Sequence, residues 1–155
     1  MSKLMPCLWF DDRIDEAIAF YSETFPNSRV LDRMRQSPDR PTFTCTLEIE
    51  GQTFLLLNGG DKASRPFTEA VSFVIETDGQ EETDYFWNRL TAEGGAESMC
   101  GWCTDRFGLS WQVTPKQLPR ALMGSDREGA ARAMQAMLGM RKIDVAAIER
   151  AYAGA

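Results

Sequence analysis

Two kinds of residue in this 155-residue chain have the type and spacing to do chemistry: the pair in Cys100-Gly101-Trp102-Cys103, and the polar row on the segment that follows. A C-x-x-C pair exchanges electrons when it opens a helix, because the helix N-terminus lowers a thiol pKa. Here the pair runs into Asp105-Arg106-Phe107-Gly108, a turn sequence in which Gly108 supplies the backbone freedom, so a hairpin and reduced, partly buried thiols are expected. As half of a zinc site the pair needs two more ligands, and Cys7 and Cys45 stand isolated on expected strands. Beyond the turn, residues 109–114 alternate apolar and polar, the period of a half-buried strand. Leu109, Trp111 and Val113 then share one face, and Ser110, Gln112 and Thr114 the other. Gln112 has two readings, as an amide that orients a ligand carbonyl or hydroxyl and as one that ties neighbouring strands. Ser72 reads the same way. Asn58 precedes Gly59-Gly60 and equally suits a turn. Trp9 and Trp102 suit the wall of a pocket for a flat or apolar ligand, or the core.

Composition removes several mechanisms. The chain has no histidine, which excludes Ser-His-Asp and Cys-His nucleophiles, an imidazole base and any His-containing zinc site within it. The acidic pairs Asp11-Asp12 and Glu81-Glu82 fall at expected helix starts, where capping accounts for them. A formal charge of -6 provides no basic footprint for nucleic acid or an anionic membrane. No apolar run approaches the roughly 20 residues that span a bilayer, and residues 1–10 lack the pattern of a signal peptide. A soluble, cytoplasmic protein is expected, with no cofactor of its own and neither nucleic acid nor membrane as partner.

The elements that must position these residues repeat. A strand beginning at Pro6 leads through Asp11-Asp12 into an amphipathic helix with Ile14, Ala17, Ile18, Tyr21 and Phe25 at helical spacing, stopped by Pro26-Asn27. Strands follow at 29–35, 42–49 and 52–58, the last two joined through Glu50-Gly51. After a polar linker the pattern restarts: a strand at 70–77, a capping-box spacing at Asp78-Gly79-Gln80-Glu81, a helix burying Phe86, Trp87 and Leu90, and three strands through Pro115. Residues 16–21 correspond to 82–87, and Gly51 to Gly108. Beyond Pro115, Ser125 or Asp126 caps a helix carrying Ala130, Met134, Met137 and Leu138, and Asp144 caps a last helix through Ile148 and Tyr152. The methionine stripe reads as packing, within the core or against a partner.

Several segments resemble the PhnB-like proteins, a branch of the vicinal oxygen chelate superfamily that includes glyoxalase I, extradiol dioxygenases and bleomycin-resistance proteins. They are Leu8-Trp9-Phe10-Asp11, Phe25-Pro26-Asn27-Ser28, Leu57-Asn58-Gly59-Gly60, Cys100-Gly101-Trp102 and Asp105-Arg106-Phe107-Gly108-Leu109-Ser110-Trp111-Gln112. The resemblance implies an α+β fold of two tandem β-α-β-β-β modules forming a cupped eight-stranded mixed sheet, with a C-terminal helical extension. One domain over 1–155 would hold module one (about 1–60), a linker (61–67), module two (about 68–115) and the tail (116–155), usually as a homodimer. It also implies that Ser72 from one module and Gln112 from the other face the same cavity from two sides, beside Asn58, Trp9 and Trp102. Metal-dependent relatives carry four His or Glu ligands, and those positions fall here on Met5 or Pro6, within Leu55 to Leu57, on Ser72 and on Gln112. None carries a carboxylate, imidazole or thiolate, so no metal is expected. The function implied is metal-independent binding of a small, neutral molecule in the cup. An enzyme on a small organic or quinone-like substrate is the alternative, including the demethylubiquinone methyltransferase activity of the branch's label. Whether there is catalysis stays open.

Overall fold

A computed structural model describes residues 2–60 and 66–155; most of the expected linker, residues 61–65, lies outside them. Backbone contacts gather the chain into two units, Met1–Pro66 and Phe67–Ala155. The first holds β1 (Cys7–Phe10), α1 (Ile14–Thr24), β2 (Ser28–Arg35), β3 (Thr42–Ile49) and β4 (Gln52–Asn58). The second repeats that order with β5 (Ser72–Thr77), α2 (Gln80–Thr91), β6 (Ala96–Glu97), β7 (Trp102–Thr104) and β8 (Ser110–Pro115), then adds α3 (Gln117–Leu122), α4 (Arg127–Leu138) and α5 (Val145–Ala153). Each unit makes a four-stranded sheet, ordered β1-β4-β3-β2 and β5-β8-β7-β6. The first and last strands of each repeat pair in parallel and the others antiparallel. The architecture is α+β, two tandem modules with C-terminal helices.

In both modules the helix covers one face of its sheet. Ile14, Ala17, Ile18, Tyr21 and Phe25 are buried in the first module together with Leu8, Phe10, Cys45, Leu47, Ile49, Phe54 and Leu56. Phe86, Trp87 and Leu90 are buried in the second with Cys103, Trp111 and Val113. Tyr21 and Trp87, matched by the repeat, are both buried, and the Trp87 indole donates to Glu97 Oε1 at 2.8 Å. A buried indole is stable where its one polar atom finds an acceptor.

The helix starts differ from expectation. Arg13 occupies the N-cap of α1 with no side-chain cap bond; Asp11 Oδ1 instead accepts the Arg13 N–H at 3.3 Å. At α2, Gly79 takes the cap position, and Glu82 reaches back to the Asp78 N–H at 2.6 Å. That is the returning half of a capping box shifted by one residue. The Asp78 carboxylate is drawn away to Lys116, 2.5 Å from it. Asp126 precedes α4 without a side-chain cap bond, whereas Asp144 caps α5 by accepting the Ala147 N–H at 2.9 Å.

Two-residue turns set the hairpins. Glu50 and Gly51, and again Cys100 and Gly101, have positive φ (48° and 81°; 58° and 82°), as a type I′ turn requires at both central residues. The Trp102 N–H closes the second turn on Met99 O at 3.0 Å. Cys100 is therefore a turn residue, and β6 ends at Glu97. Gly101 is further fixed because a β-carbon there would stand 2.8 Å from Val113 O.

The hairpin that follows is organised by Asp105, which is 1% exposed. Its Oδ1 accepts the N–H groups of Phe107 and Leu109 at 2.9 and 3.1 Å, and its Oδ2 the Trp111 indole N–H at 2.9 Å. The Gly108 N–H closes the turn on Asp105 O at 2.9 Å, with φ of 83° at Gly108.

The tail packs around Leu118, Ala121, Ala133, Ile143 and Ile148. Helix α3 went unforeseen because Pro119 reads as a breaker; it stands in the first turn, where proline is tolerated. Two backbone bonds of 2.8 Å, Cys100 N–H to Met140 O and Gly101 N–H to Arg141 O, hold the tail to the β6–β7 turn. The methionine stripe of α4 divides: Ala130 and Ala133 are buried, Met137 packs partly against the tail core, and Met134 and Leu138 remain exposed. Among the described residues no helix is long and apolar enough to cross a membrane.

Replacing Asp105 with Ala strands three donors in a buried turn. Urea denaturation is expected to show a loss of about 3–5 kcal/mol, with Asp105→Asn intermediate because it keeps one acceptor. A loss of less than about 1 kcal/mol would show that the turn holds without the carboxylate.

Candidate functional site

Strand register decides which side chains share the face that α2 leaves open. Gln112 pairs with Val74 on β5 and with Trp102 on β7, and Ser110 pairs with Ser72 and Thr104. Cross-strand partners point to the same side of a sheet, so Ser72, Val74, Trp102, Thr104 and Gln112 stand together. Trp111 and Val113, one residue out of phase, are buried on the α2 side. Ser72 and Gln112 thus come from neighbouring strands of one module, not from two sides, and the Gln112 Nε2 donates to Ser72 Oγ at 2.9 Å. Val74 beside them is 60% exposed, and Trp102 is half-buried.

That hydrogen bond fixes what the pair can offer a ligand. With Nε2 donating to the serine oxygen, the Ser72 O–H is left to donate and Gln112 Oε1 to accept. If the amide were turned over, the serine would donate to Oε1, leaving an N–H donor and a serine lone pair. Either way the pair presents at least one donor next to an acceptor, with no charge. An apolar surface from Val74 and Trp102 flanks it.

Trp9 and Asn58 belong to the first module and separate from each other. Trp9 pairs with Leu57 and so shares the open face of its sheet with Leu55, Leu57, Thr44 and Thr46; it is 46% exposed. Its indole lies across Gly59, where a β-carbon would fall 1.4 Å from Trp9 Nε1. Any side chain at 59 would expel the ring. Asn58 pairs with Phe10 on the register of the buried, α1-facing residues. Its amide donates to Thr42 O at 3.2 Å and its Oδ1 accepts the Gly60 N–H at 2.9 Å, so it closes the strand end onto the following turn. The signal for this was the Asn-Gly-Gly sequence itself.

The positions that correspond to metal ligands in the superfamily test poorly against that role. Gln112 and Ser72 are hydrogen-bonded to each other, and Leu55 and Leu57 offer no donor atom. Among the described residues no group of three or more His, Cys, Asp or Glu is arranged to hold a metal ion. A divalent ion needs ligands that offset its charge, which this neutral set does not supply.

Residues 2–114 match the family described as 3-demethylubiquinone-9 3-methyltransferase. No curated protein matches. Among solved structures, the chain is similar to a PhnB protein of Bacillus cereus, described as a putative 3-demethylubiquinone-9 3-methyltransferase. The two are 26% identical, the alignment covers 74% of this chain and 99% of that one, and the TM-score is 0.65. A protein of Pseudomonas aeruginosa is 20% identical over 74% of this chain and 98% of its own, with a TM-score of 0.57. The fosfomycin resistance protein FosX of Listeria monocytogenes shares the fold at 15% identity, over 79% of this chain and 98% of its own, with a TM-score of 0.58.

All four cysteines are free thiols, with Cys45 and Cys103 buried. Burial above all, then the nearby charges of Asp105 and Glu97, pushes the Cys103 thiol up to about 12. Burial likewise raises Cys45. Thiols held protonated are poor nucleophiles, so Cys103 is poorly suited to thiol exchange in the folded protein. In the folded protein at neutral pH, iodoacetamide should spare Cys103 until denaturant is added. A raised thiol pKa favours folding at pH values below that of the unfolded thiol, about 8.5, and this contribution is lost as pH climbs toward the folded value. Wild type should therefore lose stability relative to Cys103→Ala across that alkaline window; parallel pH profiles would refute the assignment.

Proposed function

The chain belongs to the 3-demethylubiquinone-9 3-methyltransferase family, the PhnB-like branch of the vicinal oxygen chelate superfamily, and from that premise we propose that it binds a small neutral molecule without a metal ion. The ligand sits on the open face of the second sheet, across the Ser72–Gln112 pair. The observation that carries this reading is the 2.9 Å bond between those two side chains: it turns two positions used for metal ligation in relatives into an uncharged donor–acceptor pair. A ligand with a carbonyl next to a hydroxyl or N–H, such as a carboxamide or a hydroxylated aromatic ketone, matches it. Ring or alkyl surface on the ligand covers Val74 and Trp102.

The family's name speaks of methyl transfer. A donor such as S-adenosylmethionine is ordinarily held by a glycine-rich turn after a strand of a parallel α/β sheet. Here β1 is followed by Asp11-Asp12 and β5 by Asp78-Gly79, and each sheet has a single parallel pair. These residues do not fit the donor, and no methyl-transfer step is derived from them. An enzyme acting on a small quinone-like substrate is the alternative on the same face, where the register also places the carboxylate of Glu76.

We also assign the exposed Met134 and Leu138 of α4 to the interface of a homodimer, since apolar side chains four apart on a helix share one face. Free thiols suit a reducing cytoplasm.

The test uses benzamide, salicylamide and acetophenone as probes in thermal-shift and calorimetric titrations. Benzamide and salicylamide, which carry both a donor and a carbonyl, should bind more tightly than acetophenone, which lacks the donor; Ser72→Ala and Gln112→Leu should each weaken the two amides by about tenfold or less with little change in Tm. Binding unaffected by either variant would overturn the site. Elemental analysis finding one metal ion per chain, removable with loss of stability, would overturn metal independence. For the dimer, light scattering on Met134→Glu/Leu138→Glu should report monomers where wild type gives dimers.

A further inference from the structure

The family match stops at residue 114, and the Bacillus cereus and Pseudomonas aeruginosa structures are covered almost to their full length by only 74% of this chain. The helical tail therefore lies beyond the residues matched to the family. It contains a cavity of its own, about 260 Å³, between α3 and α5, lined by Gln117, Arg120, Ala121, Glu149 and Tyr152. None of these residues belongs to the sheet face discussed above.

The chemistry of that lining is selective. Arg120 and Glu149 lie on different helices and neither is in an ion pair, with each other or with any other described residue. Most neighbouring charges are already matched: Lys116 is paired with Asp78, and Arg132 with Asp126. The Arg120 and Glu149 side chains are both exposed, so this open cleft presents one free cation and one free anion at its rim. Gln117 adds a buried Oε1 that has no hydrogen-bond donor, a state that costs about 1–3 kcal/mol. Its Nε2 makes only a long, 3.4 Å bond to Asp78 O, so the amide can turn about its soft terminal torsion. Tyr152 supplies a ring face, and Ala121 a small apolar floor.

From this arrangement we infer that the tail cavity is a second binding site, for a small zwitterion of the α-amino acid class. The ligand carboxylate pairs with Arg120, its ammonium group with Glu149 and Gln117 Oε1, and its side chain lies against Tyr152 and Ala121. A monoanion would leave Glu149 facing like charge, and a simple amine would leave Arg120 unmatched; a zwitterion satisfies both. The volume falls below the roughly 300 Å³ at which pockets begin to take drug-sized ligands, which limits the occupant to amino-acid size. The inference is independent of the sheet-face ligand, because the two sites share no residue.

The full chain is titrated with the common L-amino acids at millimolar concentration, followed by thermal shift and by NMR. At least one should bind saturably, shifting resonances of Gln117, Arg120 and Tyr152. Its methyl ester and its N-acetyl derivative, each lacking one charge, should fail to bind. Arg120→Gln and Glu149→Gln should each weaken binding by at least about tenfold without lowering the Tm of the free protein, while Arg150→Gln, on the same helix outside the cavity, should leave it unchanged. The inference is overturned if no amino acid binds, if the ester or the acetylated form binds as well as the parent, or if binding survives Arg120→Gln.

Discussion

A single buried carboxylate, Asp105, governs the half of the structure where the candidate site lies. Each oxygen is committed, Oδ1 to two backbone N–H groups of the turn and Oδ2 to the Trp111 indole. A buried charge is tolerated only when its acceptor capacity is used. Meeting that condition forces the chain to reverse within residues 105–109 and brings Trp111 under the sheet, 3% exposed. Once Trp111 faces α2, strand alternation sends Gln112 to the open side, and the pairing of β8 with β5 and β7 places it between Val74 and Trp102. A slip of one residue would exchange the two faces; the Trp111–Asp105 bond prevents that slip. The site's polarity on one side is a consequence of a structural bond on the other.

Much of this was legible beforehand, and for identifiable reasons. Strands β3 and β4 run over the ranges the alternation gave, because a half-buried strand must alternate and Glu50-Gly51 can adopt the turn between them. The tandem repeat was readable because each module buries the same face of its helix. Three features were not. Capping failed at Asp11, which accepts the Arg13 N–H while Arg13 itself stands at the N-cap, and at Asp78, where Gly79 takes the position and Lys116 the carboxylate. Helix α3 was masked by a proline that the first turn accommodates. The grouping of the site residues also escaped, since spacing along the chain carries no information on whether Ser72 and Gln112 meet across neighbouring strands; only pairing does. Asn58 shows the converse, a residue whose Asn-Gly-Gly setting already held its local role.

The two modules keep the same scaffold but have diverged on the face that is free to vary. On the α-helical side both use large apolar residues at matched positions, Tyr21 and Trp87 foremost, because packing density leaves little latitude there. On the open side the first module presents Trp9, Leu55 and Leu57 with threonines, and the second the Ser72–Gln112 pair. The serine and glutamine on that face satisfy one another through their own hydrogen bond, which spares each an unpaired polar atom. The extra helices extend the second module, tied to it through backbone bonds at Cys100 and Gly101 and through Gln80, whose side chain donates to Ile143 O and accepts the Val145 N–H. The tail therefore braces the turn that carries Trp102.

Energetics then limits what the sheet face can retain. Two neutral hydrogen bonds contribute about 1 kcal/mol each, whereas association costs at least about 4 kcal/mol in lost translational and rotational freedom. A small polar molecule meeting only Ser72 and Gln112 would not stay bound. The deficit has to come from apolar contact at about 25 cal/mol per Å², and the surface able to supply it is the exposed part of Val74 and the half-buried ring of Trp102. Micromolar affinity, about 8 kcal/mol, then demands about 10 kcal/mol from apolar contact, or about 400 Å² of apolar surface buried on ligand and protein together. For the ligand proposed above, the polar pair would set orientation and discrimination, while Trp102 and Val74 would set whether it binds at all.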